Sequence, residues 1–76
     1  MMPEKEFREL EPLYEQARRE IPTMPVISIS TVQRRYMLGY NRAARLLESL
    51  ADYGVLDYEF ATGKYSRPSA GESHGD

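Results

Sequence analysis

From Gly39 to Gly54 the chain reads GYNRAARLLESLADYG, and this segment limits the fold more than any other. At about 100° per residue, Ala43, Leu46, Leu47 and Leu50 fall within an arc of roughly 100°. Asn41, Arg42, Arg45, Ser49 and Asp52 fall on the opposite side. Gly54 stands where a helix ends in a left-handed residue. A helix with one apolar face has to bury that face against other elements of the same small unit. The whole chain has 76 residues and no cysteine, so neither a disulfide nor a thiolate-held metal can replace a packed core.

The rest of the chain supplies the partners. Residues 1–10 are polar and read as a frayed extension, with Phe7 and Leu10 available to continue an apolar stripe. Glu11-Pro12 looks like a helix start, with proline at the first helical position. Leu13, Tyr14, Ala17 and Ile21 then recur at helical spacing until Pro22 and Pro25 force an extended link. Val26–Ser30 alternates apolar and polar residues, as a short strand or extended lead-in does. Ser30 and Gln33 form a capping-box pattern that predicts a second helix over about residues 31–38, with Val32, Tyr36 and Met37 turned inward. Gly39 supplies the break before the third helix, and Tyr40 is placed to pack at the corner.

After Gly54, Val55, Leu56, Tyr58 and Phe60 favour extended structure, residues 61–64 read as a turn, and Tyr65 begins a return strand that Pro68 stops. The expected fold is therefore mainly α with a small β hairpin: a winged helix-turn-helix with a three-helix core and a wing. Its domain spans residues 11–67, between a polar extension (1–10) and a disordered Gly/Ser-rich tail (68–76).

The net charge of −2 argues against a polyanionic partner until its distribution is considered. Residues 28–47 contain Arg34, Arg35, Arg42 and Arg45 and no acid, whereas the flanking segments carry net charges of −2 and −4. In a helix-turn-helix the second helix enters the major groove of DNA with its N-terminal residues against base edges. A guanidinium meets guanine O6 and N7 with two parallel hydrogen bonds, and a carboxamide meets adenine N6 and N7 in the same way. Asn41, Arg42 and Arg45 are side chains of that kind at that end, and the first acid of the helix is delayed to Glu48. Arginines on a helix are also commonly just a solvated face.

The string SISTVQRRYMLGYNRAARLLESLADYGVL resembles the gamma domain of the FtsK/SpoIIIE family of bacterial DNA translocases, and EPLYEQA resembles that family's opening D-P-L-Y-x-x-A. The resemblance covers roughly residues 11–57, and Q-R-R followed by G-Y-N-R-A-A-R is a specific combination. It implies a winged-helix domain that binds double-stranded DNA, reads short G-rich directional motifs, and contacts a tyrosine recombinase in chromosome segregation. Carried over by position, Asn41, Arg42 and Arg45 belong to the reading helix, with Tyr40 counted among the DNA-binding candidates beside them, and Gln33, Arg34 and Arg35 belong to the helix before it. Lys64 and Arg67 are assigned to phosphate contact from the hairpin. Glu11 stands where the family has aspartate, and the Tyr/Phe-rich segment after Val55 does not align with the family's wing.

No G-x-x-x-x-G-K-[ST] phosphate loop is present, no constellation supports an enzyme, and no metal or cofactor is implied. His74 has no neighbour in sequence that would orient it for catalysis. No apolar run approaches the roughly 20 residues of a membrane span, and the charged start is not a secretory signal. A bacterial cytoplasmic, nucleoid-associated protein follows, monomeric when free and present in several copies on DNA. The chain starts with its own methionine and has unusual flanks, so a free-standing relative is expected rather than an excised domain. It would regulate transcription or occupy the motor's motifs. The alternative is a winged-helix interaction module or inhibitor that binds a recombinase, translocase or defence complex.

Overall fold

A computed structural model describes residues 2–68. Its elements run α1 (Glu4–Leu10), α2 (Tyr14–Glu20), a single 3-10 turn (Ile21–Thr23), α3 (Ile29–Tyr36), α4 (Tyr40–Asp52), β1 (Asp57–Glu59) and β2 (Lys64–Ser66). The strands form one antiparallel hairpin, with Tyr58 opposite Tyr65 and Glu59 opposite Lys64. Four helices and a two-stranded hairpin give the mainly helical, winged-helix arrangement that the periodicity predicts.

The core follows the apolar stripes. Ala43, Leu46, Leu47 and Leu50 of α4 are fully buried, against Tyr14, Ala17 and Ile21 from α2 and its turn and Val32 from α3. Leu56 closes the far end, where Gly54 takes a positive φ of 80° and lets the Val55 N–H reach the Leu50 carbonyl at 2.9 Å. That left-handed residue ends α4 and aims the chain into the hairpin, as expected of a glycine at this position.

Several local expectations are corrected. Residues 4–10 form a helix, because Phe7 is buried and packs edge-on against Tyr14 with ring centroids 5.5 Å apart. Tyr53 adds a third ring 6.2 Å from Phe7, and its hydroxyl donates to the Met2 carbonyl. The helix preceding α4 starts two residues early. Ser28, rather than Ser30, is its cap, with the Thr31 N–H donating to Ser28 Oγ at 3.1 Å. The earlier start turns Ile29 against the core.

The break between α3 and α4 falls at Met37, whose φ is +58°, while Gly39 keeps an ordinary φ of −72° as the cap of α4. The left-handed turn lets the Leu38 N–H bond the Gln33 carbonyl and throws the Met37 side chain outward, 89% exposed. Of the two readings for residues 26–30 the extended lead-in holds at Ser28 (φ −147°, ψ 162°), Ile29 already begins α3, and no strand forms, because among the described residues β1 and β2 pair only with each other. Tyr40 does not pack at the corner but lies 60% exposed beside Asn41. The hairpin turn runs over residues 60–63, with Gly63 at φ +70°, which leaves Lys64 inside β2. The tail, with His74, lies outside the described residues.

Candidate nucleic-acid interface

The outer stripe of α4 carries Asn41 and Arg45, then Glu48 and Asp52, at helical repeats of three and four residues. Burial of Ala43, Leu46, Leu47 and Leu50 fixes which way the stripe faces. Asn41 and Arg45 are exposed, and among the described residues neither side chain makes a hydrogen bond or ion pair within the chain. They stand one turn apart, about 6 Å along the axis. That is close to two base-pair steps of roughly 3.4 Å.

Arg42 is placed differently. It lies on the flank of the helix that faces the α1–α2 connection, and Glu11 takes its guanidinium in a fork. Arg42 Nε donates to Glu11 Oε1 at 3.0 Å, and Nη2 donates to Oε2 at 2.8 Å. Glu11 Oε2 also accepts from the Leu13 N–H at 2.8 Å, so this acid both caps the turn into α2 and holds α4. Glu11 is buried while Arg42 is about half exposed. The hydrogen bonds from Arg42 hold the Glu11 carboxyl below the usual carboxylate range, against the opposing cost of burial, and Glu11 in turn raises the Arg42 guanidinium.

A bidentate pair of this kind has two of the five N–H donors of Arg42 committed inside the chain. Asn41 and Arg45 are therefore the uncommitted polar side chains at this end of α4, with Arg42 braced beside them by Glu11. Glu11 is the residue that sequence reasoning missed as a site component. Its substitution for the family's aspartate was visible, but a contact across 31 residues has no local signal. A groove of about 430 Å³ runs alongside, between α1 and the start of α4, floored by Phe7 and Leu10 and edged by Asn41 and Arg45.

The remaining candidates lie on α3 and on the hairpin. Gln33 is half-buried on α3, and Arg34 and Arg35 are exposed. Arg34 Nη1 donates to Ser30 Oγ at 3.0 Å. Arg35 leans back toward α2, 3.3 Å from Glu20, which also accepts from the Tyr36 hydroxyl at 2.8 Å. Burial and that acid push the Tyr36 phenol up to about 12. Lys64 and Arg67 are exposed on the hairpin and its exit. Among the described residues no three His, Cys, Asp or Glu side chains are grouped to hold a metal ion, and no helix is long and apolar enough to cross a membrane.

The Glu11–Arg42 fork has a pH signature. Because the folded carboxyl is depressed below its ordinary 4.5, its stabilisation is complete above that value and is lost as pH falls through the folded value. Glu11→Gln is expected to lower Tm by a few degrees at pH 7, with the gap to the parent closing as acid protonates Glu11. Thermal unfolding followed by circular dichroism from pH 7 to pH 3 measures this. A constant gap would mean that the loss is one of packing.

Residues 8–64 match the family model described as the Ftsk gamma domain. The chain is 43% identical over 56 residues to the DNA translocase FtsK of Campylobacter jejuni strain 81-176, an alignment that covers 74% of this chain and 6% of that protein. Against FtsK of Pseudomonas aeruginosa PAO1 it is 45% identical over 51 residues, covering 67% of this chain and 6% of the relative. Against FtsK of Treponema pallidum it is 48% identical over 48 residues, covering 63% and 6%. The chain thus spans only about 6% of the length of these relatives. No solved structure matches it. With that match extending over most of the sequence, the chain belongs to the FtsK gamma-domain family.

Proposed function

We propose that this chain is a non-enzymatic module that binds double-stranded DNA and reads short G-rich motifs with the N-terminal end of α4. One observation carries the reading: Asn41 and Arg45, an amide and a guanidinium one turn apart, stand exposed and uncommitted on the second helix of a helix-turn-helix. The FtsK relatives are named as DNA translocases, which fits a DNA ligand; the motor activity belongs to proteins of which this chain matches a small part.

In this reading Asn41 and Arg45 meet base edges, Tyr40 lies against the backbone beside them, and Arg42 stiffens the helix start through Glu11. Gln33 and Arg34 touch the flanking backbone from α3. Arg35, Lys64 and Arg67 add phosphate contacts. The protein works at the nucleoid in the cytoplasm, with several copies side by side on repeated motifs. It either represses a promoter or occupies sites that a translocase uses, with a tyrosine recombinase as a candidate neighbour.

Fluorescence anisotropy with a G-rich duplex and a scrambled one, each at several salt concentrations, tests this. With four phosphates neutralised, log K falls against log salt with a slope of about −3.6, and the G-rich duplex binds more tightly. A slope near zero, or equal affinity for both duplexes, contradicts the proposal.

A further inference from the structure

The outer stripe of α4 runs between two flanking elements. On one side stands the hairpin, where Tyr65 lines a cleft with Ala51 of α4. On the other side α1 lies antiparallel to α4. The N-terminal end of α1 meets the far end of α4, where the Tyr53 hydroxyl donates to the Met2 carbonyl at 2.6 Å. Its C-terminal end meets the start of α4 through the Glu11–Arg42 fork. Between these ends Met2, Phe7 and Leu10 share one groove with Asn41 and Arg45.

Phe7 is the one buried side chain among the seven residues of α1, and it fixes which way the helix faces. Glu4 and Arg8 turn toward α2: Glu4 accepts from the Tyr14 hydroxyl and from Arg18 Nε, and Arg8 lies 3.3 Å from Glu15. On the helical wheel Leu10 and Glu6 then fall on the groove side of Phe7, and Lys5 and Glu9 fall opposite it. Lys5, Glu6 and Glu9 are exposed, and among the described residues their side chains make no hydrogen bond or ion pair.

A helix with its side chains is about 10–12 Å across, and the major groove of DNA is about 12 Å wide. A groove that admits α4 therefore has no room for α1 beside it. With α4 in the groove, α1 has to ride on the sugar-phosphate strand at the groove's edge, while the hairpin with Lys64 and Arg67 borders the other strand. The two flanks differ in sign. The uncommitted charges of α1 are two acids and one base, which repel phosphate and release no counterions.

We propose that α1 is a built-in brake on DNA binding: docked along α4 through Phe7, it sets Glu6 and Glu9 against one phosphate strand and lowers affinity for every duplex sequence alike. The inference rests on the DNA reading of α4. Because phosphate is the same at every base pair, the brake weakens the grip and leaves the choice of sequence to α4.

The test uses the whole 76-residue chain, with fluorescence anisotropy on the G-rich and the scrambled duplex over a range of salt. At an ionic strength of about 0.15 M, Glu6→Gln/Glu9→Gln is expected to bind both duplexes at least about threefold more tightly than the parent. Glu6→Lys/Glu9→Lys should also steepen the salt slope by up to about 1.8, or about 0.9 for each phosphate gained. Glu15→Lys carries the same change in net charge as the glutamine pair, on the side of α1 turned from the groove. It should stay within about twofold of the parent, because charges beyond roughly 8 Å are screened. All these positions are exposed, so melting curves of the variants should stay close to that of the parent.

An equal gain from Glu15→Lys would trace the effect to net charge and not to the placement of α1. A gain on the G-rich duplex alone would set α1 against bases, and a gain only where motifs adjoin would set a neighbouring copy over it. Each of these results overturns the brake. Unchanged affinity in both α1 variants, with the parent still binding duplex, overturns it and leaves the DNA reading standing. Failure of the parent and every variant to bind any duplex removes the DNA reading and the brake together.

Discussion

Leu47→Ala is expected to lower the free energy of unfolding by about 2–5 kcal/mol. Leu47 is fully buried with Leu46 and Leu50, where α4 meets the other helices, so truncation removes transfer energy and leaves a cavity that rigid neighbours cannot close. A domain of this size has roughly 4–11 kcal/mol of stability in total. The loss is thus a large share, and Tm should fall by at least about 10 °C. Denaturant unfolding monitored by tyrosine fluorescence measures the loss. Leu10→Ala is the internal comparison: Leu10 is largely exposed on α1, and its change should stay within about 0.5 kcal/mol. Equal effects at the two positions would contradict the packing described.

Arg45→Ala should weaken binding to the preferred duplex by about 1–3 kcal/mol while changing affinity for a scrambled duplex much less. The asymmetry is the informative part. A side chain that meets a base edge loses discrimination when removed, whereas one that meets phosphate weakens every sequence alike. The Arg45 side chain makes no hydrogen bond or ion pair among the described residues, so thermal unfolding of the variant should match the parent closely. Asn41→Ala is expected to act in the same direction and relax preference at a neighbouring base pair. Arg42→Ala should behave differently, because it also strands Glu11, a buried carboxylate that accepts both of its hydrogen bonds. Anisotropy titrations of the three variants on both duplexes, beside their melting curves, separate reading from bracing.

How far these features can be read from sequence depends on how local they are. The buried face of α4 is legible because four apolar residues repeat with the helical period, and Gly54 is legible because a left-handed helix end favours glycine. The helix of residues 4–10 is not, since one phenylalanine in seven residues makes no stripe and its anchors, Tyr14 and Tyr53, are distant in sequence. Two serines two residues apart offer the same capping chemistry, and only the packing of Ile29 chooses Ser28. The turn at Met37 defeats a rule of thumb that would place it at glycine. There, an exposed side chain accepts a left-handed backbone and Gly39 does not use its freedom.

The candidate site divides in the same way. Exposure of Asn41 and Arg45 follows from the helical wheel, because they lie opposite the leucines. Arg42 lies nearer the edge of that wheel, where its fate depends on which element packs alongside. Glu11 occupies that position, and the resulting fork makes Arg42 a brace for the presenting helix. The aromatic hairpin was readable as composition alone. Its pairing of exposed rings with the acids of α4 emerges only when Gly54 turns the strands back beside the helix.

Dimethyl sulfate protection of guanine N7 tests most directly whether the start of α4 enters the major groove. On a bound G-rich duplex, guanines within the motif should become protected, and Arg45→Ala, at a concentration that still occupies the duplex, should restore reactivity at one guanine position. Full reactivity of every guanine under saturating protein would place the domain on the backbone alone and contradict the account.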